Sequence, residues 1–84
     1  MNVELILDET STRIRQLMLD KFEIQEIELT DDARFKEDLN IDSLDVMEFQ
    51  LALEKMFNIV IPQEDADKLQ TVGSVIKYVG STQI

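Results

Sequence analysis

The sequence predicts an all-α fold: a small bundle of three main helices and one short helix, with a long loop between the first two. Apolar residues recur at helical spacing in separate stretches, and capping residues, Pro and Gly punctuate the ends of those stretches. A length of 84 residues with 44% hydrophobic content allows one domain with a thin core, here taken as residues 1–84.

In the first helix Ile14, Leu17, Met18 and Phe22 follow an i, i+3, i+4, i+8 pattern and form one apolar face. Val3, Ile6 and Leu7 continue the stripe upstream, which allows a start near Asn2. The run Asp8-Glu9-Thr10-Ser11-Thr12 offers capping side chains and a second possible start. Both starts fit the sequence, and residues 1–8 are treated as an N-terminal extension.

From Glu23 to Asn40 no period holds. Ile24, Ile27, Leu29, Phe35, Leu39 and Ile41 are scattered among acids, so this connection is expected to be pinned to the core, with a short helical turn around Ala33–Leu39. The second helix is expected over Ser43–Phe57, capped by Asp42 or Ser43 and stopped by Asn58. Pro62 suits the first turn of a small helix reaching Lys68. Thr71 is placed to cap a last helix carrying Val72, Val75, Ile76 and Val79, with Gly80 as its end.

Composition excludes several functions. The chain has no Cys, hence no disulfide, thiolate metal site or cysteine nucleophile, and no His, the usual general base and commonest zinc ligand. The formal net charge of −10 argues against nucleic acid and anionic membranes and favours basic partners or cations. No apolar run approaches the ~18 residues of a membrane span, and no basic-then-apolar signal opens the sequence, so a cytoplasmic protein is expected. The charge is concentrated: residues 23–45 hold nine acids against two bases. A partner-facing surface is expected in that segment, beside the plainer reading of a solvated loop.

The second helix carries two apolar stripes. At about 100° per residue, Val46, Phe49, Leu53 and Phe57 share one face, while Leu44, Met47 and Leu51 lie nearly opposite, bordered by Asp45, Glu48 and Glu54. The second stripe either meets a partner or is covered by the long loop. At the helix entrance stands Asp42-Ser43-Leu44-Asp45. Ser43 has no His to activate it and no Gly-x-Ser-x-Gly elbow, which excludes a serine hydrolase. A helix N-terminus does favour a phosphate, so a hydroxyl there suits phosphorylation or a phosphodiester made by another enzyme.

The run from Leu29 through Phe35-Lys36-Glu37-Asp38-Leu39 to Asp42-Ser43-Leu44-Asp45 resembles the acyl carrier proteins. So do Glu48, Ala52-Leu53-Glu54, Phe57, Ile61-Pro62, Ala66, Thr71-Val72 and Tyr78. The resemblance covers roughly Ile14 to Val79. It implies that a separate phosphopantetheinyl transferase esterifies Ser43 with a 4′-phosphopantetheine arm taken from coenzyme A. The arm's thiol would carry acyl groups as thioesters, a prosthetic nucleophile on a chain without Cys.

The resemblance further implies partners with basic docking patches, namely acyl transferases and enzymes of fatty acid synthesis. They would meet the acids Asp42, Asp45, Glu48 and Glu54 and the apolar residues Leu44, Met47 and Leu51. Phe35, Leu53, Phe57, Ile61, Ala66, Leu69 and Ile76 are candidates to part and shelter an acyl chain, beside their role as core. The chain would be a monomeric, non-catalytic carrier, with polyketide, aminoacyl or other specialised cargo as the alternative.

Some positions depart from the family pattern. Asn40 stands where many relatives have Gly, a replacement that left-handed geometry tolerates. Lys55, Met56 and Val60 stand at positions often acidic in relatives and soften the lower end of the acidic face. Outside the family, Asp38, Asn40 and Asp42 have the 1-3-5 spacing of a calcium hand, but Ser43, Asp45 and Phe49 break its later positions. No metal site is assigned, and an acidic protein that binds divalent cations loosely is the distant alternative.

Overall fold

A computed structural model describes the backbone of residues 3–83 and the side chains of residues 8–83. Four helices follow in order: α1 (Val3–Lys21), α2 (Ser43–Phe57), α3 (Gln63–Ala66) and α4 (Val72–Thr82). This is the predicted architecture. α1 packs on both α4 and α2. Of the two starts the sequence offered, α1 takes the upstream one. The side chains of Val3, Ile6 and Leu7, proposed to extend its stripe, lie outside the described residues.

The apolar periodicity becomes the core. Ile14 and Met18 from α1 meet Phe49, Leu53 and Phe57 from α2 and Val72, Val75, Ile76 and Val79 from α4, with Leu17 and Phe22 at the margin. Phe49 is the hub: Phe22 and Phe35 each pack edge-on against it, with ring centroids 6.1 and 5.9 Å away. At the far end of α2 the Arg13 guanidinium lies 4.6 Å from the Phe57 ring centroid.

The long loop is pinned as expected through Leu29, Ala33, Phe35, Leu39 and Ile41, which are all buried, but not through Ile27, which is 82% exposed. Its backbone is stitched to the start of α4. The Phe35 N–H donates to Gln70 O at 3.0 Å, Val72 N–H to Ala33 O at 3.1 Å, and Gly73 N–H to Asp31 O at 2.8 Å. From α1, Arg15 donates to the Leu29 carbonyl and pairs with Asp31 at 2.6 Å. The expected short helical turn around Ala33–Leu39 forms as one uncontinued turn, in which the Asp38 and Leu39 N–H groups donate to Arg34 O at 3.0 and 3.1 Å. The loop also holds a 3₁₀ turn at Glu26–Glu28, where the Glu28 carboxylate accepts the Gln25 N–H at 2.8 Å.

Two end readings need correction. α3 stops at Ala66, short of Lys68. α4 runs through Gly80 to Thr82. Gly80 is buried and its φ is not positive, so it does not act as a stop. The Ser81 and Thr82 hydroxyls donate to Tyr78 O and Val79 O at 2.7 and 2.6 Å, which satisfies carbonyls of the last turn. Thr71 caps the other end, with Ser74 closing a reciprocal capping box.

Gly73 is required by close approach. A Cβ there would stand 2.9 Å from the Asp31 carbonyl oxygen, a backbone atom that cannot swing aside. Gly73→Ala gains about 1 kcal/mol of helix propensity but meets an overpacking cost of about 1–3 kcal/mol. We expect a net loss of about 1 kcal/mol in denaturant titration; a stabilised variant would contradict the contact.

Candidate functional site

The site is built at the start of α2. Asn40, with φ 55°, turns the chain in the left-handed region, the geometry for which Asn replaces Gly. Ile41 N–H then donates to Phe35 O at 2.8 Å, and Asp42 takes the N-cap, its Oδ1 accepting the Asp45 N–H at 2.9 Å. Of the two candidate caps, Asp42 does the capping. Ser43 is left at the first helical position, exposed, with no hydrogen bond from its hydroxyl among the described residues. At the far end Asn58, also at φ 55°, closes α2 in the left-handed conformation.

The loop leading into the site is set by Asp38. Its Oδ2 accepts the Arg34 backbone N–H at 2.9 Å and Nε at 3.2 Å, while Oδ1 accepts from Nη2 at 3.3 Å. The Arg34 side chain first, and its backbone N–H second, hold the Asp38 carboxyl below its ordinary range. With a depressed folded value, the stabilisation is present above the unfolded carboxylate pKa of about 3.9 and is lost as pH falls through the lower folded value. Asp38→Asn is therefore expected to lower Tm at neutral pH. Melting curves of the two proteins should converge in acid; a pH-independent difference would contradict this role. Of the calcium-hand positions, Asp38 and Asp42 already have their carboxylates on Arg34 and Asp45.

The two stripes of α2 separate. Leu44, Met47 and Leu51 are 64%, 56% and 53% exposed, whereas Phe49 and Leu53 are at most 1% exposed. The long loop does not cover the outer stripe. Glu48 is exposed within it and Asp45 is half-buried at its border. Glu54 has a second role: half-buried, it accepts the Ile61 N–H at 3.0 Å and holds the turn after α2.

Beside Ser43 a groove of about 500 Å³ opens between α2 and α3. Ser43, Val46, Met47 and Gln50 form its α2 wall; Phe35, Ala66 and Leu69 are the apolar part of the facing wall, which also carries Lys36, Glu37, Gln63, Asp67 and Gln70. Of the acyl-chain candidates, Phe35, Ala66 and Leu69 thus meet Ser43 at the groove. Leu53, Phe57, Ile61 and Ile76 lie in the core and do not line it. Two polar ties hold α3, too short to be stable alone. Gln50 Nε2 donates to Ala66 O at 3.3 Å, and the Tyr78 hydroxyl donates to Asp65 Oδ2 at 2.9 Å. Burial, then the Asp65 carboxylate, pushes the Tyr78 phenol above its ordinary value. Sequence reasoning missed Gln50; its one signal was an amide on the flank of α2 adjoining the core stripe.

The family model for the phosphopantetheine attachment site matches residues 12–79. An acyl carrier protein of Wolinella succinogenes is 42% identical over 66 residues, 79% of this chain and 87% of the relative. One from Lactobacillus acidophilus is 38% identical over 76 residues, 90% of this chain and 95% of the relative. The chain belongs to the acyl carrier protein family. It is accordingly a non-catalytic carrier, and its cofactor is a covalently attached 4′-phosphopantetheine. The α2 entrance fits such a group: an exposed hydroxyl not taken up in capping, at a helix terminus whose dipole favours a phosphodiester. Among the described residues no helix of this carrier is long and apolar enough to cross a membrane.

Proposed function

We propose that Ser43 carries the arm and that the protein delivers acyl intermediates to the enzymes of fatty acid synthesis. The observation that supports this most is the division of labour at the α2 entrance. Asp42 satisfies the helix end, and the neighbouring hydroxyl remains exposed without a structural task. A phosphopantetheinyl transferase would join Ser43 Oγ, which gives up its proton, to the pantetheine-side phosphorus of coenzyme A, breaking the diphosphate bond so that adenosine 3′,5′-bisphosphate leaves. The arm, once attached, supplies a terminal thiol that holds acyl groups as thioesters.

Leu44, Met47 and Leu51 are the apolar patch for partners, and Asp42, Asp45, Glu48 and Glu54 are its acidic rim. Basic patches on the transferase, acyl transferases and synthesis enzymes complement that rim. A small apolar centre with screened rim charges suits fast, reversible encounters with several enzymes. The chain acts as one monomeric cytoplasmic carrier unit.

The test is turnover of the loaded carrier by an acyl transferase or condensing enzyme. Glu48→Lys should raise KM, chiefly through slower association, and most at low salt. Unchanged KM at low salt would remove Glu48 from the docking face. A carrier of polyketide, aminoacyl or other specialised acyl groups is the second reading, favoured by the amide of Gln50 in the groove.

A further inference from the structure

We infer that Gln50 sets the kind of acyl group this carrier shelters. The groove beside Ser43 takes a chain with a hydroxyl, oxo or amino group near its thioester in preference to a saturated chain of equal length. The inference rests on Ser43 as the arm-bearing residue and holds for either pathway proposed above.

Gln50 follows Ser43 by seven residues, two turns of α2, and at about 100° per residue the two share one flank. Both line the groove, with Gln50 about 10 Å further along the helix axis at about 1.5 Å per residue. The acyl chain begins at the arm's thiol, not at Ser43, so the carbons beside the thioester meet Gln50 when the arm folds back along this wall. The side chain is half-buried, and its bond to Ala66 O is 3.3 Å long, beyond the usual range for N–H···O bonds. Its amide oxygen and second N–H have no partner among the described residues.

The other two amides of the groove, Gln63 and Gln70, each give one amino bond to Asp67, at 2.9 and 3.2 Å, but both residues are exposed to water whereas Gln50 is half-buried. Gln50 therefore brings bonding capacity that is still open to the part of the groove lined by Phe35, Ala66 and Leu69. A saturated chain lying there strips water from the Gln50 amide and returns no hydrogen bond. A chain with an oxygen or nitrogen at that depth replaces the water, while its remaining carbons lie on the apolar lining. A site built this way discriminates against the analogue that lacks the polar group.

The experiment loads the full chain from hexanoyl- and 3-hydroxyhexanoyl-coenzyme A with a broad-specificity transferase. It then follows cleavage of each thioester by hydroxylamine, normalised to the same acyl group on free pantetheine. The 3-hydroxyhexanoyl form should be consumed about three- to tenfold more slowly, the effect of one net hydrogen bond. Gln50→Val should load equally well and lose or reverse that preference. Equal protection of the two groups on the wild-type chain overturns the inference without recourse to any variant, as does an unchanged preference in folded Gln50→Val. A chain that accepts no arm at Ser43 fails visibly at the loading step, which overturns the Ser43 reading and this inference together.

Discussion

Leu53→Ala is expected to destabilise the protein by about 2–5 kcal/mol, while Met47→Ala changes its stability by less than about 0.5 kcal/mol. The two residues lie on the same helix and differ in what they touch. Leu53 is fully buried among core side chains, so truncation removes apolar contact and leaves a cavity the thin core cannot easily collapse. Met47 is 56% exposed, so truncation removes little that folding had buried. In partner turnover the order reverses for molecules that remain folded. Met47→Ala should raise KM, because it strips the apolar centre of the proposed docking face. Denaturant titration of both variants decides the matter. Should Met47→Ala unfold the protein as badly as Leu53→Ala, the outer stripe is core and no docking face exists on α2.

Ser43→Ala is expected to abolish attachment of phosphopantetheine and leave the fold intact. The hydroxyl is the proposed acceptor of the new bond, so no partial activity should survive its removal. The fold should tolerate the loss because the cap of α2 is the Asp42 carboxylate at 2.9 Å from the Asp45 N–H, not the serine. Alanine is also a good residue within a helix. Far-ultraviolet circular dichroism and Tm should match the wild type within the small range of surface substitutions. A variant that fails to load because it has melted would instead assign Ser43 a structural task.

Most of the helices were legible because their signals are local. Asp42, Asn58 and Thr71 act within one turn of where they stand, and each closes the helix end that its residue type suggests. Asn40 stood out only beside the family pattern, which has Gly there, and its φ of 55° is the left-handed geometry that this exchange tolerates. The division of α2 into a buried and an exposed stripe followed from spacing, with the loop's path deciding between partner face and covered face.

What escaped depends on contacts between distant residues. Arg15 reaches Leu29 and Asp31, and the loop joins the start of α4 through Ala33, Phe35 and Gly73. No periodicity announces such ties. Gly80 misled because its composition signal for a helix stop is outweighed by burial and by the Ser81 and Thr82 hydroxyls. Glu54 read as a rim acid, and Gln50 drew no reading at all. Their bonds to Ile61 and Ala66 emerge only when the chain after α2 folds back.

The central claim is that residue 43 bears the arm. Its most direct test is to incubate the full wild-type chain with coenzyme A and a broad-specificity transferase, then combine intact mass with fragmentation. The expected result is a gain of one phosphopantetheine per chain, localised to Ser43. No gain in mass, or an arm localised to Ser11, Ser74 or Ser81, would contradict it.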